Sequence, residues 1–368
     1  MDRIAGIINL DHEQDLLDEL TYFRCGAAVP FAGRYRMIDF AISNMTNSRI
    51  ESIAVFARRK YRSLLDHLEQ GKAWDLDRKR GGLFVLPPDW NDPTDISRGD
   101  LQHFHNNMDF INRAYADYIL VSGSQHVCNI NFQEVLEEHK ASGANVTVIY
   151  KKVNELLPEH ALAQKLTIDE DNRVSDIHND HKSKDVFMDM YILHKQYLLE
   201  LIEDGIAHGC SHLFAEGIKA KLPDVHMHAY EYKGVHALVN SVESYFRNSR
   251  ALLDPEKHDD LFKEDFPIYT KVKNEAPSKY LQDSNVKNTL VANGCIIQGD
   301  VEDSILFRGV KIGKGAVIKN SIIMQRCEIA DHAVLDNVII DKDCRISEGR
   351  TLIGAPEKPF VLAKRKTM

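Results

Sequence analysis

The sequence predicts two successive architectures: an α/β sandwich on a mainly parallel sheet, then a parallel β-helix. Two observations carry this. Up to about residue 250, short continuous apolar runs alternate with stretches of helical period. Beyond about residue 290, single apolar residues recur every five or six positions among Gly, Asn and Asp. Continuous apolar runs mark strands covered on both faces, and their alternation with helices marks crossover connections. A near-constant hexad marks very short strands joined by tight corners.

The elements follow in chain order. Ile4 to Ile8 reads as the first buried strand, Ile50 to Ala57 as the second, Asp117 to Val121 as the third and Asn145 to Tyr150 as the fourth. Helical period covers Met37 to Thr46, Tyr61 to Glu69, Asp100 to Ala114 and Phe132 to Ala141. Ser241 to Leu253 reads as the closing helix of this part. Asp254 to Tyr280 mixes charge with three prolines and reads as an extended linker or crossover. The boundaries are therefore 1–253, 254–280 and 281–368.

In the last part, apolar residues stand at Ile296, Val301, Leu306, Ile312, Val317, Ile323, Ile329, Leu335, Ile340 and Ile346. The intervals are 5, 5, 6, 5, 6, 6, 6, 5 and 6. Hairpins of a sandwich would alternate with period 2 instead. Three short sides, each turning one apolar residue inward, close one coil, and Gly or Asn suits the corners because both accept positive φ.

Composition narrows the function. The chain has 368 residues, 43% hydrophobic and 27% charged, enough for packed cores. Its net charge of −9 makes it a poor general binder of nucleic acid or anionic membrane, although a local basic cluster is enough for a small anion. No run approaches the roughly 20 apolar residues that span a bilayer, and the start lacks the pattern of a signal peptide, so a cytoplasmic protein is expected. Cys25, Cys128, Cys210, Cys295, Cys327 and Cys344 are scattered without a CxxC, which favours reduced, mostly buried thiols over zinc or a disulfide framework.

Three segments carry a family resemblance. AVPFAGRYRMIDFAISNMTNSRI (Ala28 to Ile50) resembles the PFGGKYRIIDFxLSNxxNSGI signature of bacterial ADP-glucose pyrophosphorylases, the glucose-1-phosphate adenylyltransferases. ADYILVSGSQHVCNINF (Ala116 to Phe132) is similar to that family's strand and loop before the metal site. Asn293 to Gln325 is similar to its β-helix. The resemblance covers nearly the whole chain. It implies a nucleotidyltransferase-like α/β sandwich, Rossmann-like or GT-A-like, followed by a left-handed β-helix of hexapeptide repeats. It also implies a place in bacterial glycogen synthesis.

The resemblance fails where the family's chemistry resides. Adenylyl transfer needs a cradle for the triphosphate, Mg²⁺ and an in-line sugar phosphate. The family's Gly-rich loop LAGGxGxRLxPLT corresponds here to Ile8 through Asp15, with no glycine and with Asp11, Glu13 and Asp15. Those carboxylates would repel a triphosphate. Gly26 replaces the phosphate-facing Lys of RAKPAVPF. Ser122-Gly123-Ser124-Gln125-His126 lacks the metal Asp of SGDH, and Leu238 stands at the Asp of the W-x-D-V-G-T motif. Phe187 falls at the sugar-phosphate Ser of SMGIYVF. The sequence thus assigns no catalytic residue and no metal site, and it resembles the non-catalytic, regulatory members of the family. For these, the resemblance implies a catalytic GlgC-type partner in a heterotetramer, with Mg²⁺ and ATP held by that partner.

Basic residues remain as candidates for phosphate or effector binding: Arg34 and Arg36 in AGRYR, and Arg58, Arg59, Lys60 and Arg62 after the second strand. Arginine grips phosphate oxygens in two places, although a solvated helix start accounts for such charges equally well. Lys364-Arg365-Lys366 reads as a frayed basic terminus that joins them at most weakly. His226 and His228 share a strand face, His103 and His105 do not share a helix face, and neither pair has an assignable third ligand. Asp39 reads as support for the first helix. The loop Lys72 to Arg98, bracketed by Trp74 and Trp90, reads as a surface or interface loop. Two other readings stay open: an active adenylyltransferase with an atypical site, and a hexapeptide-repeat acyltransferase using His332, the only His of the repeat region.

Overall fold

The computed structural model of the chain describes residues 3–11, 13, 16–87, 99–180 and 182–368. Pro88 through Arg98, with Trp90, lie outside the described residues, as do His12, Gln14 and Asp15. The chain divides into two packing units. One comprises Met1–Gln14, Ile38–His236 and Lys263–Tyr269; the other comprises Asp15–Met37, Ala237–Phe262 and Thr270–Met368.

The first unit is built on nine strands: β1 (Ile4–Asn9), β2 (Ser52–Phe56), β3 (Gly82–Leu86), β4 (Tyr118–Ser122), β5 (Val146–Lys152), β6 (Lys165–Ile168), β7 (Val174–His178), β8 (Asp185–His194) and β9 (Met227–Glu231). Their order is β7-β6-β8-β4-β1-β2-β3, with β5 paired to β8 and β9 paired to β5. β3, β2, β1 and β4 run parallel, as the apolar runs predict. Both faces are covered. Ile7, Phe56, Val121 and Val148 share one core with Phe104, Ile111, Leu198 and Ile202, while the alternate residues Ile8, Ile53, Val55, Leu120 and Ile149 are equally buried.

The other half of the sheet departs from the mainly parallel reading. The long β8 runs antiparallel to β4 and β5, and β6 pairs antiparallel with β7. β6 and β7 carry exposed residues and lack the continuous apolar signature of two-sided burial, so pattern reading passes over them.

The helices match their sequence signals. α1 (Met37–Asn47), α2 (Arg62–Leu68) and α5 (Phe132–Ser142) lie within two residues of expectation. The Asn131 side chain accepts the Gln133 N–H at 3.0 Å to cap α5, and Gly143 ends it at φ 63°. The stretch from 100 to 114 is two helices, α3 (Leu101–Asn106) and α4 (Met108–Arg113). α6 (Lys195–Ala207) follows β8. Gly6 lets α1 approach the sheet, since a Cβ there would lie 2.5 Å from the Met45 sulfur.

The second unit holds the β-helix. Three parallel five-stranded sheets form its sides, running from Lys279–Tyr280 to Arg345–Ile346, from Asn285–Lys287 to Thr351–Ile353 and from Leu290–Val291 to Phe360–Leu362. The register pairs Ile297 with Ile312, Ile312 with Ile329, and Ile329 with Ile346. Eight of the ten predicted apolar positions point into this core. At the other two the neighbour points inward: Ile297 rather than Ile296, and Ile318 rather than Val317. Successive strand residues face opposite ways, and paired apolar residues leave the inward one ambiguous. Asp303, Asn320 and Asn337 hold one stack of corners at positive φ, and His332 sits at another corner with φ 58°.

α7 (Val242–Ala251) belongs to this unit, with Ser241 accepting the Ser244 N–H at its start. The expected linker opens with a helix, α8 (Pro255–Leu261), capped by Asp254 with Pro255 in its first turn. Extended chain follows.

Candidate functional site

The end of β1 delivers the loop that the resemblance aligns with the family's triphosphate cradle. Asp11 is almost fully buried, with Arg58 at 3.3 Å and His103 at 3.5 Å from its carboxylate oxygens. Burial alone would raise its pKa; the hydrogen bond and charge of His103, followed by Arg58, outweigh burial and hold it below the usual carboxylate value. His103 is fixed by its own Nε2, 3.0 Å from the Leu86 carbonyl, and by stacking on Phe56. Glu13 reaches the loop after β4. One oxygen accepts the Ser124 backbone N–H and the other accepts Ser124 Oγ–H at 2.9 Å. The loop's carboxylates are thus engaged by Arg58, His103 and Ser124.

Acidity surrounds this loop. Asp189 sits at φ 56° in the register break of β8, and a Cβ on Gly123 would fall 3.1 Å from Glu13 and 3.6 Å from Asp189. Asp100 is buried, accepting from Asn9 Nδ2 at 2.7 Å and from the Leu213 N–H at 3.0 Å. Among the described residues, no three His, Cys, Asp or Glu come together as a metal-holding group. Where the resemblance expects a metal Asp, the Ser122–His126 loop offers Ser and Gln side chains and the buried Leu238 offers no oxygen, whereas Mg²⁺ prefers anionic oxygen. Phe187 is buried against Phe214, ring to ring at 4.8 Å, so an apolar contact fills the expected sugar-phosphate position.

The second unit gathers basic side chains instead. The hairpin Pro30–Phe31 and Tyr35–Arg36 carries Arg34 and Arg36. Arg34 is exposed, its guanidinium 5.4 Å from the Tyr35 ring centroid. Arg36 is half-buried and acts electrostatically on Lys342, together with Arg24 and Lys364. Burial first, then Arg36 and Arg24, push the Lys342 amine well below its ordinary value, and burial with Arg365 and Arg24 lowers Lys364. Asp341 answers part of this charge through a buried ion pair with Arg24, and Asp343 is engaged by Arg326 at 2.7 Å. Arg24 Nη1 and Gln325 Oε1 are buried without hydrogen-bond partners among the described residues. A buried guanidinium with an unmatched donor, among cations that outnumber the carboxylates, is suited to an anionic oxygen.

Of the predicted basic residues, Arg36 joins this cluster. Arg58 belongs to the Asp11 loop, with Arg59, Lys60 and Arg62 exposed beside it at the start of α2. Arg24 and Lys342 join the basic cluster without a sequence signal for phosphate binding. Arg24 aligns with the Arg of RAKPAVPF, which carries no phosphate assignment, and a Lys at a β-helix corner has no pattern of its own. Lys364 gave a signal as part of the basic tail.

His228 Nε2 lies 2.7 Å from Glu138, and His105 is exposed. Asp39 is buried at the start of α1 against His67 Nε2, 2.5 Å away, in a supporting position. Trp74 is buried, and its indole N–H donates to Ser43 Oγ at 3.2 Å.

Comparison with known proteins places these features. The nucleotidyl transferase family matches residues 16–160, starting just past the acidic loop, and the GlmU-like C-terminal hexapeptide family matches residues 276–358. The chain is 38% identical to the glycogen biosynthesis protein GlgD of Bacillus subtilis over 98% of its length and 96% of that protein's. It is 42% identical to GlgD of Geobacillus stearothermophilus over the same shares. It is 32% identical to a glucose-1-phosphate adenylyltransferase of Thermosipho africanus over 87% of its own length and 78% of the relative's. The acidic loop and the hexapeptide β-helix thus sit in a chain that belongs to the glucose-1-phosphate adenylyltransferase family and aligns with its GlgD members from end to end.

Proposed function

We infer that this chain is a regulatory, catalytically degenerate subunit of a glucose-1-phosphate adenylyltransferase in bacterial glycogen synthesis. It acts in the cytoplasm on a catalytic GlgC-type partner that converts ATP and glucose 1-phosphate to ADP-glucose and diphosphate. The observation that carries this reading is the pair of loop carboxylates: Asp11 held by Arg58 and His103, and Glu13 held by Ser124. Metal and donors at a transferring phosphoryl group each lower the barrier by several kcal/mol. Acids in the loop after β1, a Ser122–His126 loop without Asp, and Leu238 in place of an Asp offer neither.

The regulatory half of the reading rests on the basic cluster of Arg24, Arg36, Lys342 and Lys364. Its chemistry suits a sugar phosphate or nucleotide. Such an effector shifts the partner only if it binds two states of the complex with different affinity. The test is kinetic. The isolated chain with Mg²⁺, ATP and glucose 1-phosphate is expected to form ADP-glucose only at background, and co-purified mixtures are expected to differ from the partner alone in rate or effector response. Turnover by the isolated chain at a typical enzymatic rate would overturn the degenerate-site reading. Identical kinetics with and without this chain would remove the regulatory one.

A further inference from the structure

Cys327 and Cys344 lie in consecutive coils of the β-helix. Glu328 pairs with Arg345 in register, and the Glu328 N–H donates to the Cys344 carbonyl at 3.0 Å, so the two cysteines sit one above the other. Stacked strands are about 4.8 Å apart, inside the Cα separation of roughly 4.4–6.8 Å that a disulfide spans. Both side chains are fully buried in the helix interior. In the same corner Val310 separates Cys327 from Cys295, so the pairing is limited to two thiols.

We propose that Cys327 and Cys344 are a redox-active pair that closes to a disulfide inside the β-helix, next to the basic cluster. Two further observations support this. When Cys344 ionises, the Cys327 S–H is placed to donate to it, which holds the Cys344 thiol below its ordinary value against the effect of burial; burial pushes Cys327 well above. Cys344 reacts first, because it lies against the exposed turn of Arg365, Lys366 and Thr367. There the Arg345 N–H donates to the Lys366 carbonyl at 2.9 Å. That segment is held by the bonds of Arg345, Ser347, Arg365 and Met368, and their local opening is the route by which a small oxidant enters.

The co-reactant is a peroxide. The Cys344 thiolate attacks one peroxide oxygen, an S–O bond forms, the O–O bond breaks and hydroxide leaves, giving a sulfenic acid. Cys327 sulfur then attacks Cys344 sulfur. The S–S bond forms, the S–O bond breaks and water departs with the Cys327 proton. In sum, two thiols and one hydrogen peroxide give one disulfide and two waters.

The consequence for the anion cluster rests on the effector reading above. Cys327 S–H donates to the Asp341 carbonyl at 3.0 Å, and Cys344 S–H donates to the Ala363 carbonyl at 3.2 Å. Asp341 holds Arg24 and precedes Lys342; Ala363 precedes Lys364. Closing the disulfide removes both donors and releases the two strand segments that position the cluster's lysines.

The full chain, reduced and then treated with hydrogen peroxide, is alkylated, digested without reductant and mapped by mass spectrometry. The expected product is a Cys327–Cys344 cross-link lacking two hydrogens, with the other four cysteines alkylated after denaturation. Recovery of both residues alkylated, or linked to other cysteines, overturns the proposal. Reduced and oxidised chains are then titrated with inorganic phosphate. A several-fold difference in affinity, absent in Cys327→Ser and in Cys344→Ala, is expected. Equal affinity of the two forms overturns the coupling. If neither form binds phosphate while the cross-link is present, the effector reading fails and the redox pair stands.

Discussion

Arg24 and Asp341 form a buried ion pair across 317 residues of sequence, and the pair ties a segment near the chain's start to the penultimate coil of the β-helix. A buried pair of this kind contributes little over an apolar replacement, but removing one partner leaves the other charge uncompensated, at about 3–5 kcal/mol. Asp341→Asn is therefore expected to lower stability by about that amount in urea unfolding. Added phosphate should restore more of the loss in the variant than it adds to the wild type, because it supplies the missing negative charge. A variant as stable as the wild type would show that Arg24 finds another partner.

Lys342 gives the cluster a proton signature. Burial, then Arg36 and Arg24, hold its amine well below the ordinary lysine value. An anion beside it favours the charged form, so the complex carries more protons than the unbound chain. Affinity for phosphate is expected to fall as pH rises from the depressed value of the unbound chain towards that of the complex. Calorimetry in two buffers of different ionisation enthalpy should report proton uptake. Lys342→Met should reduce the uptake, leaving only the part contributed by Lys364.

His139 sets a second pH dependence, in the first unit. Its Nδ1 lies 2.8 Å from Thr147 Oγ, and burial, then His228 and His194, lower its pKa from 6.5 to about 4. Between those values the unfolded chain binds the proton and the folded chain does not, so stability rises with pH and is lost as pH falls from 6.5 towards about 4. With solvent screening discounted, the loss is on the order of 1–2 kcal/mol. His139→Gln should flatten that part of the stability profile in denaturant titrations.

Glu13 is a test of the acidic loop. Replacing it with Gln removes one charge facing a nucleotide while keeping an acceptor for Ser124. Relief of one carboxylate near a surface is on the order of 1 kcal/mol, so ATP affinity should rise several-fold in a fluorescence titration. ADP-glucose formation should stay at background, because the Ser122–His126 loop and Leu238 still offer no anionic oxygen. A large gain in turnover would mean that Glu13 alone blocks an otherwise competent site.

Asn320 isolates the backbone cost of a β-helix corner. It sits at φ 47°, accepts from Arg250 at 2.7 Å and donates to Asp336 at 3.0 Å. Asn320→Ala and Asn320→Gly both lose these bonds, but only Ala also resists the left-handed conformation. The Gly variant should be more stable by about 1 kcal/mol in thermal or urea unfolding.

Much of this was legible because it is local. Ile4 to Ile8 and Ile50 to Ala57 announce strands buried on both faces, and both pair in the parallel half of the sheet. The β-helix shows in a spacing that survives without any partner residue, although Ile296 and Ile297 cannot be ranked until neighbouring coils stack. The antiparallel β6 and β7 were hidden because exposed positions interrupt their apolar pattern. The absence of glycine after β1 was plain in the residues, whereas the capture of Asp11 by Arg58 and His103 was not.

The sequence by itself determined the two repeating textures, the acids in the loop after β1 and the lack of any Asp in Ser122–His126. These are statements about residue type and spacing, which hydrophobic period and covalent order settle. Only the tertiary structure decided that Arg24, Arg36, Lys342 and Lys364 share one charged neighbourhood and that Cys327 lies over Cys344. Coil stacking brings distant residues within a few ångströms, and Coulomb and hydrogen-bond energies depend on that distance rather than on separation along the chain.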